Sequence, residues 1–168
     1  MATELYDLTV PVFTRGLNAL SGVLDKAVAH AKETGVDPDS YLSLRLIDDM
    51  RPLTNQIQMS ADGPKLCLAR LSGVEAPVFE DTETTLAQLQ DRIRATLDYL
   101  ASIPADKVNG QEDRDVVLKF PGGEIPFKGR QYVIGFACPN FYFHLTTAYG
   151  LLRQAGVPLG KRDYLGGA

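Results

Sequence analysis

The chain has 168 residues, 45% of them hydrophobic and 23% charged, with a formal net charge of −4. A conventional core is within reach of that length without disulfides or a structural metal. The acidic balance, with Lys and Arg spread thinly, excludes the basic face that nucleic acid requires, and two cysteines with no paired spacing, Cys67 and Cys138, exclude a disulfide framework or a cysteine zinc knuckle.

These totals point to one domain, 1–168, in a reducing cytoplasm, and do not by themselves specify an activity. The segment Met1–Asp7 carries two acids and no basic stretch before an apolar run, so no secretory signal is expected. No run of about eighteen apolar residues marks a membrane span.

The first element is a long amphipathic helix. Leu5, Leu8, Val12, Leu17, Leu20, Leu24, Ala27 and Ala31 recur at three- and four-residue steps. Pro11 either starts the regular helix, with Thr9 as its cap, or kinks it, and Gly35 supplies the stop, placing the end near residue 34. Asp37-Pro38-Asp39-Ser40 opens a short helix carrying Tyr41, Leu42 and Leu46. Asp48-Asp49 before Pro52 suggests a second long helix beginning there with acids at its positive end and running to Gly73, kinked or broken at Gly63-Pro64. A connection follows to Asp81. The third helix, about 83–103, shows Leu86, Leu89, Ile93, Leu97, Leu100 and Ile103 on one face and Gln90, Asp91, Arg94 and Asp98 off it.

The period then changes. After a polar linker, 105–114, Val116, Leu118 and Phe120 alternate, Pro121-Gly122-Gly123 turns the chain, and Ile125 and Phe127 resume the alternation, which predicts a β-hairpin. A lone hairpin does not make a sheet domain, so it should lid or brace a helical body. The last helix includes 139–154, its start open to a position before Tyr132, with Phe141, Leu145, Ala148, Leu152 and Ala155 buried and Gly156 and Pro158 closing it. Four principal helices and one inserted hairpin predict a mainly all-α antiparallel bundle.

The residues that could carry chemistry are few. His30 sits near the end of the first helix, where a capping role suits it. His144 lies in the aromatic run Pro139-Asn140-Phe141-Tyr142-Phe143-His144-Leu145, with Asn140 four residues earlier on the same face. A hydrogen-bonded core imidazole and a functional one both fit there, and Asn140 and a tyrosine hydroxyl are natural partners. No glycine run opens a helix after a strand, Asp113 and Asp115 read as solvated acids, and Cys67 reads as a small core residue. Cys138 before Pro139 combines a helix start, which lowers a thiol pKa, with burial, which raises it.

The segments Tyr6-Asp7-Leu8-Thr9-Val10-Pro11-Val12-Phe13 and Leu66-Cys67-Leu68-Ala69-Arg70-Leu71-Ser72-Gly73, the block Pro139 to Arg153, and Gly160-Lys161-Arg162-Asp163-Tyr164-Leu165 resemble a bacterial domain-of-unknown-function family over nearly the whole chain. That family resembles a branch of the DinB/YfiT-like superfamily of metalloenzyme fold. The resemblance implies a four-helix bundle, often homodimeric, with a divalent metal on three histidines, one on the second helix and an H-x-x-x-H pair on the last. Here it lays His144 on the second histidine of the pair, Asn140 on the first, and the second-helix position near Gln56. Only one imidazole of three is present, so no metal cofactor is expected, with His144 the one candidate ligand should a divalent metal bind. The resemblance therefore points to a polar pocket of His144, Asn140, Gln56 and Tyr142 or Tyr149 that binds a small molecule. The alternative is a divergent hydrolase or thiol transferase with His144 as base or residual metal ligand, and a third reading is a purely structural homodimer. Whether the protein is an enzyme stays open at this stage.

Overall fold

In a computed structural model that describes residues 3–167, four long helices carry the fold: α1 (Val10–Thr34), α2 (Leu53–Ser72), α3 (Leu86–Ala101) and α6 (Cys138–Gln154). Between α3 and α6 lie a short α4 (Ala105–Val108), the antiparallel strands β1 (Asp115–Phe120) and β2 (Gly123–Lys128), and α5 (Gly129–Tyr132). A short α7 (Lys161–Tyr164) returns to α1, where Lys26 and Asp163 form an ion pair of 2.6 Å. Among the described residues no helix is long and apolar enough to cross a membrane.

Helix α1 stops as its sequence predicts, with Gly35 in the left-handed region at φ 70°. Thr9 occupies the cap position, but its hydroxyl donates back to the Leu5 and Tyr6 carbonyls and caps nothing. The α1 stripe packs on α6 through Phe13, whose ring meets Phe141 edge-on at 5.1 Å. Gly16 permits that approach, since a Cβ there would sit 2.6 Å from the Phe141 ring. Helix α3 begins with a full capping box, Thr85 with Gln88.

Four expectations need correction. Helix α2 starts at Leu53, with no acid in its first turn, so Asp48 and Asp49 cap nothing. Pro52 pushes Arg51 toward extended backbone, and the helix cannot extend back through it. Of the kink or break expected at Gly63-Pro64, the break is not found: α2 is one helix through both residues. Much of the clash between a proline ring and the preceding residue involves that residue's Cβ, which glycine lacks, and Pro64 is buried where tertiary packing holds the helical path. Gln90 belongs to the buried face of α3: its amide accepts from Ser21 Oγ at 2.8 Å and donates to the Ser21 carbonyl and to Asp25, both at 2.9 Å. Finally, the polar linker contains α4, whose Val108 is fully buried.

The predicted hairpin forms, with Leu118 opposite Ile125 and Phe120 opposite Gly123, so that Gly123 of the expected turn belongs to β2. Val116 and Leu118 face inward while Phe120 and Ile125 remain about half exposed at its tip. From Gly129 the backbone is helical without interruption to Gln154, passing through a π-helical turn at Val133–Ala137. That turn precedes Pro139, which has no N–H to give to the turn before it.

Candidate functional site

The site is organised by the seam between α2 and α6, which pack antiparallel. Gln56, Gly63 and Arg70 are seven residues apart, two helical turns, and so share one face of α2. Opposite them on the α5–α6 run, His144 bonds to Gln56, Asn140 lies over Gly63, and Tyr132 bonds to Arg70. The four-residue steps from Tyr132 through Phe136 and Asn140 to His144 would drift round an α-helix by roughly 40° each. The wider π turn at Val133–Ala137 offsets part of that drift and holds the four on one side.

Apart from Gln56, which sits behind His144, these residues and the hairpin above line an open cavity of about 340 Å³. Leu66, Leu118, Phe120, Ile125 and Phe136 provide its apolar wall; Asp62, Arg70, Lys119, Asn140 and His144 provide its polar groups.

The state of His144 follows from its neighbours. Gln56 is buried and donates through Nε2 to the Arg51 carbonyl at 2.9 Å, which turns its Oε1 toward His144 Nδ1 at 2.8 Å. An amide oxygen only accepts, so Nδ1 carries the proton, and in the neutral ring Nε2 holds a lone pair. Burial lowers the pKa of His144 from its ordinary 6.5, favouring that neutral form. The imidazole is thus an oriented acceptor.

At the other end, Arg70 Nη1 donates to the Tyr132 hydroxyl at 2.7 Å. Burial pushes the Tyr132 phenol up to about 12, so it stays protonated. Asp62 touches the cavity but is held elsewhere: its Oδ2 accepts from Arg92 Nη2 at 2.6 Å, and its Oδ1, which has no hydrogen-bond partner among the described residues, forms an ion pair with Lys65 Nζ at 2.9 Å. Arg92 also pairs with Asp81 at 2.9 Å and Glu83 at 2.7 Å, and both cations lie against the Phe79 ring. This cluster pins the connection before α3 to α2. Burial acts to raise the Glu83 carboxyl pKa, but hydrogen bonds from Arg92 and Gln58 outweigh it and hold the group below its usual value.

Of the predicted site residues, the structure brings His144, Gln56 and Asn140 to the seam. Tyr142 and Tyr149 lie elsewhere, because two and five residues from Asn140 and His144 do not return to the same helical face. Tyr142 accepts a long bond from Arg15 at 3.4 Å, and Tyr149 packs edge-on against Tyr164. Arg70, Tyr132 and the hairpin residues were absent from the sequence-based set, although the seven-residue spacing of Gln56, Gly63 and Arg70 placed them on one face.

Residues 5–165 match the sequence profile of a family described as Domain of unknown function (DUF1993). The chain belongs to that family. It is also similar to a solved structure described as a DinB family member protein from Shewanella denitrificans, at 41% identity and a TM-score of 0.87, covering 96% of this chain and 92% of that one. Among curated proteins none matches. This DUF1993 chain therefore has the mainly helical DinB-like fold with its small hairpin, and its specific function is not established by its relatives.

A divalent metal, which the wider fold implies, does not fit the donors at the seam. One imidazole faces two neutral amides, and the Gln56 amide is already committed to that imidazole and to a backbone carbonyl. Among the described residues no group of three or more His, Cys, Asp or Glu is placed to hold a metal ion.

Proposed function

We propose that this DUF1993 protein binds a small molecule in the cavity beneath the hairpin, and does so without a metal. The observation that carries the reading is the make-up of that cavity: an apolar wall beside polar groups spread along the seam, Arg70, Asn140 and His144. The test is a thermal-shift and ligand-observed NMR screen against a metabolite library. Hits should be lost in Leu66→Trp, a change on the exposed rim that fills the cavity. Hits unaffected by that change, or no hit at all, would overturn the proposal.

One observation favours a second reading, a divergent hydrolase or thiol transferase with His144 as general base. The Gln56 bond selects the tautomer with Nε2 free to take a proton. Turnover abolished in His144→Ala while ligand affinity is retained would support it; activity unchanged in that variant would dismiss it.

The same proposal puts the protein in a reducing cytoplasm, supported by its two free cysteines, and in a homodimer, as the superfamily resemblance suggests. Light scattering that returns a single-chain mass would remove the dimer.

A further inference from the structure

We infer that the cavity under the hairpin takes an amphipathic organic acid, its carboxylate on Arg70 and its apolar body between the hairpin tip and the π turn. This rests on the small-molecule reading above and names the ligand class.

Charge supplies the first argument. Three ionised side chains line the cavity: Arg70, Lys119 and Asp62. Asp62 is committed to Arg92 and Lys65, whereas Arg70 has no carboxylate within 4 Å among the described residues. With His144 neutral and Asp62 taken by its own cations, Arg70 and Lys119 leave the cavity positively charged, which attracts an anion. Geometry supplies the second. A guanidinium offers five N–H donors in a plane that matches a carboxylate, and Arg70 gives one bond, to Tyr132. The Tyr132 oxygen accepts that bond, so its own proton remains available to the same anion. Its ring lies 5.7 Å from the Arg70 guanidinium and stacks on Phe136 at 6.0 Å, which continues the aromatic surface from the charge toward the apolar wall.

The third argument is the wall itself. Phe120 and Ile125 are about half exposed, and both face the cavity from the hairpin tip, where an alkyl or aryl body would cover them. Further along the seam, about 18 Å of helix separates Tyr132 from His144, so a short acid engages the Arg70 end alone.

The experiment is isothermal titration of the full chain with octanoate, octan-1-ol, octylamine and octyl phosphate, with the Leu118 and Ile125 methyl resonances as the readout of place. Octanoate should bind and shift those methyls, and the alcohol and amine should bind at least tenfold more weakly. Arg70→Met should reduce octanoate affinity at least tenfold, and Arg70→Lys, which keeps the charge but not the fork, should fall between. Melting temperatures of both variants establish that they are folded. Equal affinity for octan-1-ol, tighter binding of octyl phosphate, or undiminished octanoate binding by Arg70→Met overturns the ligand class and leaves the cavity as a binding site. No methyl shift with any of the four overturns this inference, while the library screen still decides the broader reading.

Discussion

Gly129 joins the hairpin to α5, and its replacement tests how the roof of the cavity is fixed. A Cβ at this position would stand 2.0 Å from the carbonyl oxygen of Gln111 and 3.2 Å from Leu71 Cδ2. The first neighbour is backbone and cannot swing aside, so the 109–114 segment must move by about 1 Å to restore normal contact. That segment is anchored at the same point by the bond from Arg130 N to the Glu112 carbonyl at 2.9 Å, which the displacement would strain or break. Overpacking costs about 1–3 kcal/mol and a lost hydrogen bond about 1 kcal/mol, so Gly129→Ala should destabilise by roughly 2–4 kcal/mol. For a chain of this size that is a fall in melting temperature of roughly 5–15 °C. Gly135→Ala is the control: nothing lies within 4 Å of its Cβ position and its φ is not positive, so it should be neutral or raise stability by about 0.4–1 kcal/mol. Differential scanning fluorimetry on the two variants measures the contrast. Should Gly129→Ala melt with the parent chain, the close approach of the hairpin base to the helix is not what holds the roof.

Arg92→Met removes the buried cation shared by Asp62, Asp81 and Glu83, and should cost about 3–5 kcal/mol in urea unfolding, with Asp62 then released toward the cavity. For His144, burial lowers the folded pKa below 6.5, so the unfolded chain binds the proton first as pH falls. Its contribution is therefore intact above 6.5 and declines below it, and His144→Asn should flatten that slope in pH-dependent melts. Glu83 acts in the same direction at lower pH, and Glu83→Gln should blunt the loss of stability as pH falls through the ordinary carboxylate range. Burial raises the thiol pKa of both Cys67 and Cys138, so native protein should react slowly with a thiol reagent at neutral pH and fully once unfolded. Rapid labelling of Cys138 in the native state would show that burial does not govern its reactivity.

The legible parts of this chain are those where one period runs long enough to outvote its neighbours. The α1 and α3 stripes, the Gly35 stop and the hairpin alternation each repeat a local rule over many residues, and each appears where the pattern puts it. Local rules misled where tertiary packing overrode them. Gly63-Pro64 reads as a kink or a break in any isolated segment, yet the missing Cβ of Gly63 and the burial of Pro64 let α2 continue unbroken. Gln90 reads as surface because of its polarity, and it is buried because Ser21 and Asp25 on α1 satisfy its amide.

The site divides along the same line. Asn140 and His144 share a helical face by simple spacing, and Gln56 came from the superfamily resemblance; all three meet at the α2–α6 seam. Tyr142 was drawn in by its place in the aromatic run, but a two-residue step points it away from His144 and toward α1. Arg70 was hidden for a different reason. A lone arginine near a helix end reads as a solvated charge, and what distinguishes it is relational: the acid nearest the cavity, Asp62, is held by Arg92 and Lys65 through a connection that no local pattern describes. Had Asp62 been free to turn toward Arg70, the cavity would carry an internal ion pair and the Arg70 fork would not be open to a ligand. The buried Arg92 cluster therefore does more than tie down a loop, because by occupying Asp62 it sets the charge of a cavity on the other side of that carboxylate.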